Sequence, residues 1–279
     1  AAAWARLRRT PPSARRIALI FANYPTREGR LANGVGLDSP AGAAAALAAL
    51  RAAGYALGDA PSDGPALLAA LLAGPTNEAA SRDRPSGARL EHATYAAEFD
   101  RLPEALRAAA LQRWGPPEQD PFFHDGAFQL ALRRWGDLVI GLQPSRGYEI
   151  DPVATYHDPD LVPPHRYLAF HFWLRRVFDA HALVQMGKHG NLEWLPGKSI
   201  ALSADCWPEA ALGPIPLIYP FIVNDPGEGS QAKRRASAAI IDHLTPPLAR
   251  AELYGGLRDL ETLADELFEA ARVDPRRLP

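Results

Sequence analysis

Cysteine is almost missing: Cys206 is the only one in the chain. A single thiol excludes an internal disulfide and a zinc cage built from cysteines, and it suits a reducing cytoplasm. Lysine is nearly as scarce, with Lys188, Lys198 and Lys233 set against 27 arginines. Where a chain writes Arg for almost every cation, a retained Lys points to a compact ammonium that a planar fork cannot replace. All three, with the only Met and the only Cys, fall within 186–233. Long apolar runs are lacking, so neither a membrane span nor a secretory signal core is encoded. Charge imbalance is lacking too: the net charge is −2, without a basic stripe interleaved with aromatics, which argues against a nucleic-acid binder. The GxGxxG, GxxxxGK[ST], HExxH and GxSxG patterns are absent, which leaves nucleotide cradles, zincin peptidases and serine hydrolases without support. Gly197-Lys198-Ser199 imitates the end of a P-loop, but the position five before Gly197 is Leu192 instead of Gly.

What is present is ordinary for a globular protein, at 47% hydrophobic and 22% charged over 279 residues, enough for one large domain or two modest ones. The chain opens AAAWARLRRTPP without Met and ends DPRRLP, which reads as an excerpt of a longer polypeptide. RIALIFA at 16–22 reads as a buried parallel strand. A glycine-containing loop follows, then Ser39 as N-cap with Pro40 at N1 of an Ala/Leu helix that runs to Gly54 as C′. Further helices are expected over 62–73, 92–99 and 103–114. FQLALRRW and DLVIGLQ meet at Trp135-Gly136-Asp137 as a β-hairpin. An amphipathic helix is expected over 165–178, with strands at 182–186, 216–223 and 238–244, and a solvated acidic helix over 252–272. Ser230 or a neighbour would cap a helix bearing Lys233, Arg234 and Arg235, a helix start suited to a carboxylate or phosphate. The expected fold class is α/β, with mixed or mostly parallel sheet units flanked by helices, as part of a larger multidomain chain. The hairpin near Ala127 suggests an N-terminal portion at 1–126 and a C-terminal portion at 127–279.

The chemistry concentrates in 137–198. Two loops that follow apolar runs there carry Glu149, Asp151, His165, His189 and Glu193. Loops after strands are where α/β proteins place ligands. Imidazole and carboxylate oxygen suit a divalent Co, Ni, Zn or Mn ion, and the same groups can take protons. Several carboxylates together need a companion, a metal, water or an Arg such as Arg146. His189 and Glu193 stand four apart, but Gly190, Asn191 and Pro196 argue for a loop in place of a continuous helix.

The blocks GLQPSRGYEIDP, PPHRYLAF, ALVQMGKHGNLEWLPGK, ALSADCWPEAALGPIPLIYPFIVNDPGEGSQAKRR and AAIIDHLTPP, in this order, resemble the class I metallochelatase large subunit. That family comprises the large subunit of aerobic cobaltochelatase and the H subunit of magnesium chelatase. The resemblance runs from about Arg16 to Phe268 and is weakest over 58–127. NYPTREGRLANGVGLDSP and MGKHGNLEWLPGK are closer to the cobalt branch, since the magnesium branch favours Thr before the His and Phe-Met after the Glu. The resemblance implies a tetrapyrrole-binding subunit that inserts Co2+, as substrate, into hydrogenobyrinic acid a,c-diamide during aerobic cobalamin synthesis. It implies ATP, with Mg2+, hydrolysed on a separate AAA+ motor subunit with a companion chelatase subunit, in the cytoplasm. His189, Glu193 and Glu149 become the expected catalytic residues. His189, Glu193, Glu149, Asp151 and His165 become the expected metal ligands. Arg146, Lys188, Lys198, Lys233 and Arg234 would meet the acidic arms of the corrinoid precursor. Family members are several times longer, so this stretch is expected to form one wall of a chelatase cleft. Magnesium insertion into protoporphyrin IX, and a non-catalytic tetrapyrrole-binding or scaffold role, are the alternatives.

Overall fold

The computed structural model describes residues 1–23, 31–32, 37–85, 87–147, 158–187, 190–220, 226–241 and 255–273. The strands are β1 (Ile17–Phe21), β2 (Ala88–Glu91), β3 (Phe123–His124), β4 (Ala127–Leu130), β5 (Leu132–Trp135), β6 (Leu138–Leu142), β7 (Ala182–Met186), β8 (Leu217–Pro220) and β9 (Ala239–Ile241). The helices are α1 (Ala2–Arg9), α2 (Ser39–Ala52), α3 (Gly64–Leu72), α4 (His92–Phe99), α5 (Glu104–Trp114), α6 (His165–Arg176), α7 (Trp207–Leu212), α8 (Pro226–Arg235) and α9 (Gly256–Val273).

A six-stranded sheet has the order β5-β6-β1-β7-β8-β9, and β2, β4 and β3 make a small second sheet. β1 pairs in parallel with β6 on one side and β7 on the other, and the parallel run continues through β8 to β9. Among the described residues only β5, the hairpin partner of β6, runs antiparallel in this sheet. The α/β expectation therefore holds. β1 and β6 are buried at every position, as strands covered on both faces must be.

The pleat sorts β1 between two cores. Ala18 and Ile20 face Tyr167, Leu168 and Phe172 of α6 together with Leu90, Phe128 and Leu130 of the small sheet. Leu19 and Phe21 face Ala43 and Leu47 of α2 and Leu67 and Leu71 of α3. The expected boundary at 126/127 does not divide the molecule, because strands from both sides of it share one sheet. The compact units are instead 1–243 and 244–279.

Three local expectations change. The N-cap of α2 is Asp38, whose side chain accepts from the Ala41 N–H, and Ser39 is already helical. An aspartate is the stronger cap here, since its charge also meets the positive end of the helix dipole. α6 is not amphipathic: its ten residues from His165 to Leu174 are all buried. Its polar members are accommodated by internal partners. The Arg166 guanidinium lies 3.4 Å above the Phe122 ring and donates to the Thr76 carbonyl, and the Asp120 carboxylate accepts the Arg166 N–H. Buried Glu98 of α4 is gripped by Arg101, Arg176 and Arg175, which ties α4 to the end of α6. Third, α8 starts at Pro226, so Ser230 lies inside it and Lys233, Arg234 and Arg235 occupy its last turn. Those cations complement the negative end of the helix and do not flank an anion site at its start.

Candidate functional site at the carboxyl ends of the parallel strands

From β1 the chain leads to β6 on one side and later to β7 on the other. This reversal opens a crevice at the carboxyl ends, where open parallel sheets bind ligands. Two hydrogen bonds hold the three strand ends level: Gln143 N–H donates to the Phe21 carbonyl at 2.9 Å, and Ala22 N–H to the Met186 carbonyl at 2.8 Å. β7 then turns at Gly187, with φ +140°, where an added Cβ would fall 2.5 Å from that of Ala22. Only glycine lets the chain leave β7 this close to β1.

Residues 190–198 fold over this edge. A single 3₁₀ turn, Leu192–Trp194, buries Glu193 to 1% exposure. Tyr219, an inward-facing residue of β8, accepts the Gly190 N–H on its hydroxyl and donates to Glu193 Oε1 at 3.0 Å. Arg235 closes the loop from the last turn of α8. Its guanidinium donates to the carbonyls of Glu193 (2.6 Å), Leu195 (2.8 Å) and Lys198 (2.9 Å). Burial lowers the pKa of Arg235, while Cys206 and Glu193 act in the opposite direction. Asn191 joins the two loops: its Oδ1 accepts from the Tyr167 hydroxyl, and its Nδ2 donates to the Pro144 carbonyl. At Gly190 an added Cβ would lie 3.1 Å from Gln143 Nε2, 3.3 Å from Gln185 Cδ and 3.3 Å from Glu193 Oε2. A carboxylate and two carboxamides therefore converge on that glycine.

The expected site residues separate into groups. Glu149, Asp151, Lys188 and His189 lie outside the described residues. Glu193 stands inside the crevice wall. Arg146 is buried at 4% exposure and donates to the Asp158 carbonyl at 2.6 Å. Lys198, Lys233 and Arg234 are exposed, and the Lys198 main chain is held by Arg235 and by Cys206. His165 is a correction. It is fully buried, Nε2 donates to the Gly115 carbonyl at 2.8 Å, and Nδ1 meets the Tyr95 hydroxyl. A carbonyl only accepts, so Nε2 carries the proton and Nδ1 accepts from Tyr95. Burial lowers the pKa of His165 and raises that of Tyr95 well above its usual value, which keeps both neutral. With both nitrogens engaged in the core, His165 holds the fold and leaves the metal-donor set. Among the described residues, no group of three or more His, Cys, Asp or Glu side chains is placed to hold a metal ion.

No motif in the sequence announces Tyr219, Asn191, Gln143 or Gln185, and Arg235 is expected only as one of three cations on its helix. Their one shared signal was position: each is a polar residue at the end of, or just beyond, an apolar strand or its partner helix.

The sequence pattern of a family described as CobN/Magnesium Chelatase matches residues 1–279. The chain belongs to the CobN/magnesium chelatase family. Among its relatives, the aerobic cobaltochelatase subunit CobN of Sinorhizobium sp is 61% identical over 275 residues, covering 99% of this chain and 22% of that protein. The magnesium-chelatase H subunit of Chlorobaculum parvum is 37% identical over 272 residues, covering 95% of this chain and 21% of that one. The solved catalytic subunit of cobaltochelatase from Mycobacterium tuberculosis superposes with a TM-score of 0.77 at 48% identity, covering 99% of this chain and 24% of that structure. The chain thus spans roughly a fifth of the length of these family members.

Proposed function

We propose that this chain forms part of the large, tetrapyrrole-binding subunit of an ATP-dependent cobaltochelatase, which inserts Co2+ into hydrogenobyrinic acid a,c-diamide. The observation that carries the reading is the difference in identity over the same stretch, 61% to a cobaltochelatase subunit against 37% to a magnesium-chelatase H subunit. Magnesium insertion is accordingly the runner-up. ATP hydrolysis belongs to a separate AAA+ motor and its companion subunit, which fits the missing phosphate-cradle motif. The work takes place in the cytoplasm, the compartment that a single free thiol suits.

Insertion exchanges ring N–H for metal–nitrogen bonds, so the protein must accept a proton for each N–H lost while a dehydrated Co2+ enters. Glu193 is the proposed base, with His189, Glu149 and Asp151 as further donors for metal or protons. The Tyr219 hydroxyl fixes one carboxylate oxygen of Glu193, and Arg235 fixes its main chain, so the base is positioned before the ring arrives. Exposed Lys198, Lys233 and Arg234 are the proposed contacts for acidic corrinoid arms, with Lys188 and Arg146.

The test is metal insertion by the full-length polypeptide with motor subunits and ATP. Glu193→Gln is expected to slow Co2+ insertion by at least about 100-fold, with the corrinoid Kd within about threefold of wild type. Normal turnover at normal affinity would remove Glu193 from the chemistry. Tighter binding of protoporphyrin IX than of the corrinoid diamide would move the reading to the magnesium branch. Corrinoid binding by neither form would leave a scaffold role.

A further inference from the structure

We propose that Asn191 is a positioning residue for metal insertion: its carboxamide sets the separation of the two crevice loops, and the Tyr167 hydroxyl sets the carboxamide. The proposal rests on the cobaltochelatase reading above and deepens it.

β6 and β7 are not neighbours in the sheet, because β1 lies between them. They exchange no ladder hydrogen bonds, and two strand spacings of about 10 Å separate their ends. The loops that continue from them carry the expected donors, so the separation of those loops must be set beyond the sheet. Asn191 spans the gap. Its Nδ2 donates to the Pro144 carbonyl at 2.9 Å, and Pro144 lies two residues past β6. Pro144 is buried and has no N–H, so that carbonyl is the one backbone polar group it offers.

Each end of this bond is firmly mounted. On the β6 side, the Gln143 N–H donates to the Phe21 carbonyl, and the Gln143 carbonyl accepts from Asn77 Nδ2 at 2.8 Å. On the β7 side, the Asn191 carbonyl accepts the Trp194 N–H at 3.2 Å, which closes the single turn that buries Glu193. A shift of Asn191 therefore shifts Glu193 against the loop after β6.

The partners also decide which way the carboxamide points. A backbone carbonyl only accepts, so the NH2 faces Pro144, and Oδ1 is left to accept from the Tyr167 hydroxyl at 2.8 Å. Tyr167 is fully buried in α6, and its ring stacks on that of His171 with centroids 4.9 Å apart. Asn191 itself is 7% exposed, so little water is at hand to take over either bond. One side chain thus fastens α6, the loop after β6 and the turn after β7. Proton acceptance and metal transfer need reacting atoms within about 3–3.5 Å, and an error of roughly 1 Å costs about 100-fold. A loop separation held by one amide therefore governs the rate of insertion more than the affinity for the ring.

The experiment uses the full-length polypeptide with motor subunits and ATP, and reads kcat for Co2+ insertion beside the corrinoid Kd from ring absorbance. Asn191→Leu keeps the approximate shape and removes both hydrogen bonds, while Tyr167→Phe removes a single hydroxyl from the other end. Asn191→Leu is expected to lower kcat by roughly 100-fold and Tyr167→Phe by roughly tenfold, with Kd within about threefold of wild type in both. The double variant is expected to be no slower than Asn191→Leu alone, as for two residues that act as one unit. Normal kcat in both variants overturns the positioning role and leaves the cobaltochelatase reading standing. A loss of kcat/KM carried wholly by Kd also overturns it, since the two residues would then only bind the ring. A double variant slowed by the product of the two single losses overturns the assignment of Tyr167 to Asn191. Absence of Co2+ insertion by the wild type overturns the cobaltochelatase reading and the inference with it. Tyr167→Phe is close to isosteric, so failure of Asn191→Leu to fold does not shelter the proposal.

Discussion

His165 and His171 show why a residue type alone is a poor guide to a site. Both sit in α6 with nearly complete burial, and both are held neutral. His171 Nδ1 meets the Tyr167 carbonyl one turn earlier at 3.0 Å. Burial pushes the His171 pKa down to about 4, the Tyr167 hydrogen bond acts upward, and Arg175 adds to the lowering. In the unfolded chain the same imidazole titrates near 6.5. Between those values the unfolded state binds a proton that the native state refuses. Stability is therefore complete above pH 6.5 and is lost as pH falls toward 4. The loss from this one group is about 3 kcal/mol by linkage. His171→Gln, measured beside the wild type by chemical denaturation from pH 7.5 to 4.5, is expected to flatten the pH dependence by an amount of that order. Parallel curves would show that His171 does not titrate across folding. The His165 partners, Tyr95 and Gly115, lie 70 and 50 residues away in the chain, and no local spacing announces them. Glu193 was legible as a functional candidate from its motif, while its anchor Tyr219, 26 residues on, was not.

Elements were easier to read than single contacts, because periodicity is local. β7 was expected at 182–186, its observed bounds, and α4 at 92–99 likewise. α8 shows the limit. Gly227 and Gly229 make NDPGEGSQ look like a loop, so the sequence points to a helix start near Ser230. Pro226, whose fixed φ suits a first helical position, in fact opens the helix. That shift turns Arg235 from a surface cation into the clamp on residues 193–198. Its three hydrogen bonds depend on the planar fork of a guanidinium, which an ammonium cannot reproduce. Arg235→Lys is expected to keep the charge and release at least two of the three carbonyls. Amide hydrogen exchange over 192–198 should then speed up by roughly tenfold or more, while β1 and β6 stay protected. Unchanged exchange in the loop would show that the 3₁₀ turn and Tyr219 suffice to hold it.

At the scale of the whole molecule, alternating strands and helices announced a largely parallel sheet, but not the order of its strands. Order depends on which side of β1 each crossover lands, and hydrophobic pattern does not record that. The hairpin expected from Phe128 to Gln143 therefore looked like the start of a second portion, although β5 and β6 within it complete the first sheet and β4 belongs to the small one. The consequence can be measured. β1 pairs with both β6 and β7, and it buries Ile17, Leu19, Ile20 and Phe21 to 4% exposure or less. At roughly 2 kcal/mol for each large side chain, these four contribute about 8 kcal/mol. That is comparable to the whole net stability of a domain, about 5–15 kcal/mol. A fragment of residues 127–279 is thus expected to lack a cooperative thermal transition and near-UV circular dichroism, since β6 and β7 face each other across an empty strand position. Residues 1–243 keep every described strand of the sheet and are expected to unfold cooperatively. Mixing separately produced 1–126 and 127–279 should restore the near-UV signal as β1 re-enters between its neighbours. A cooperative transition from 127–279 alone would mean that β6 and β7 can close on each other, and that the division at the hairpin is a true domain boundary.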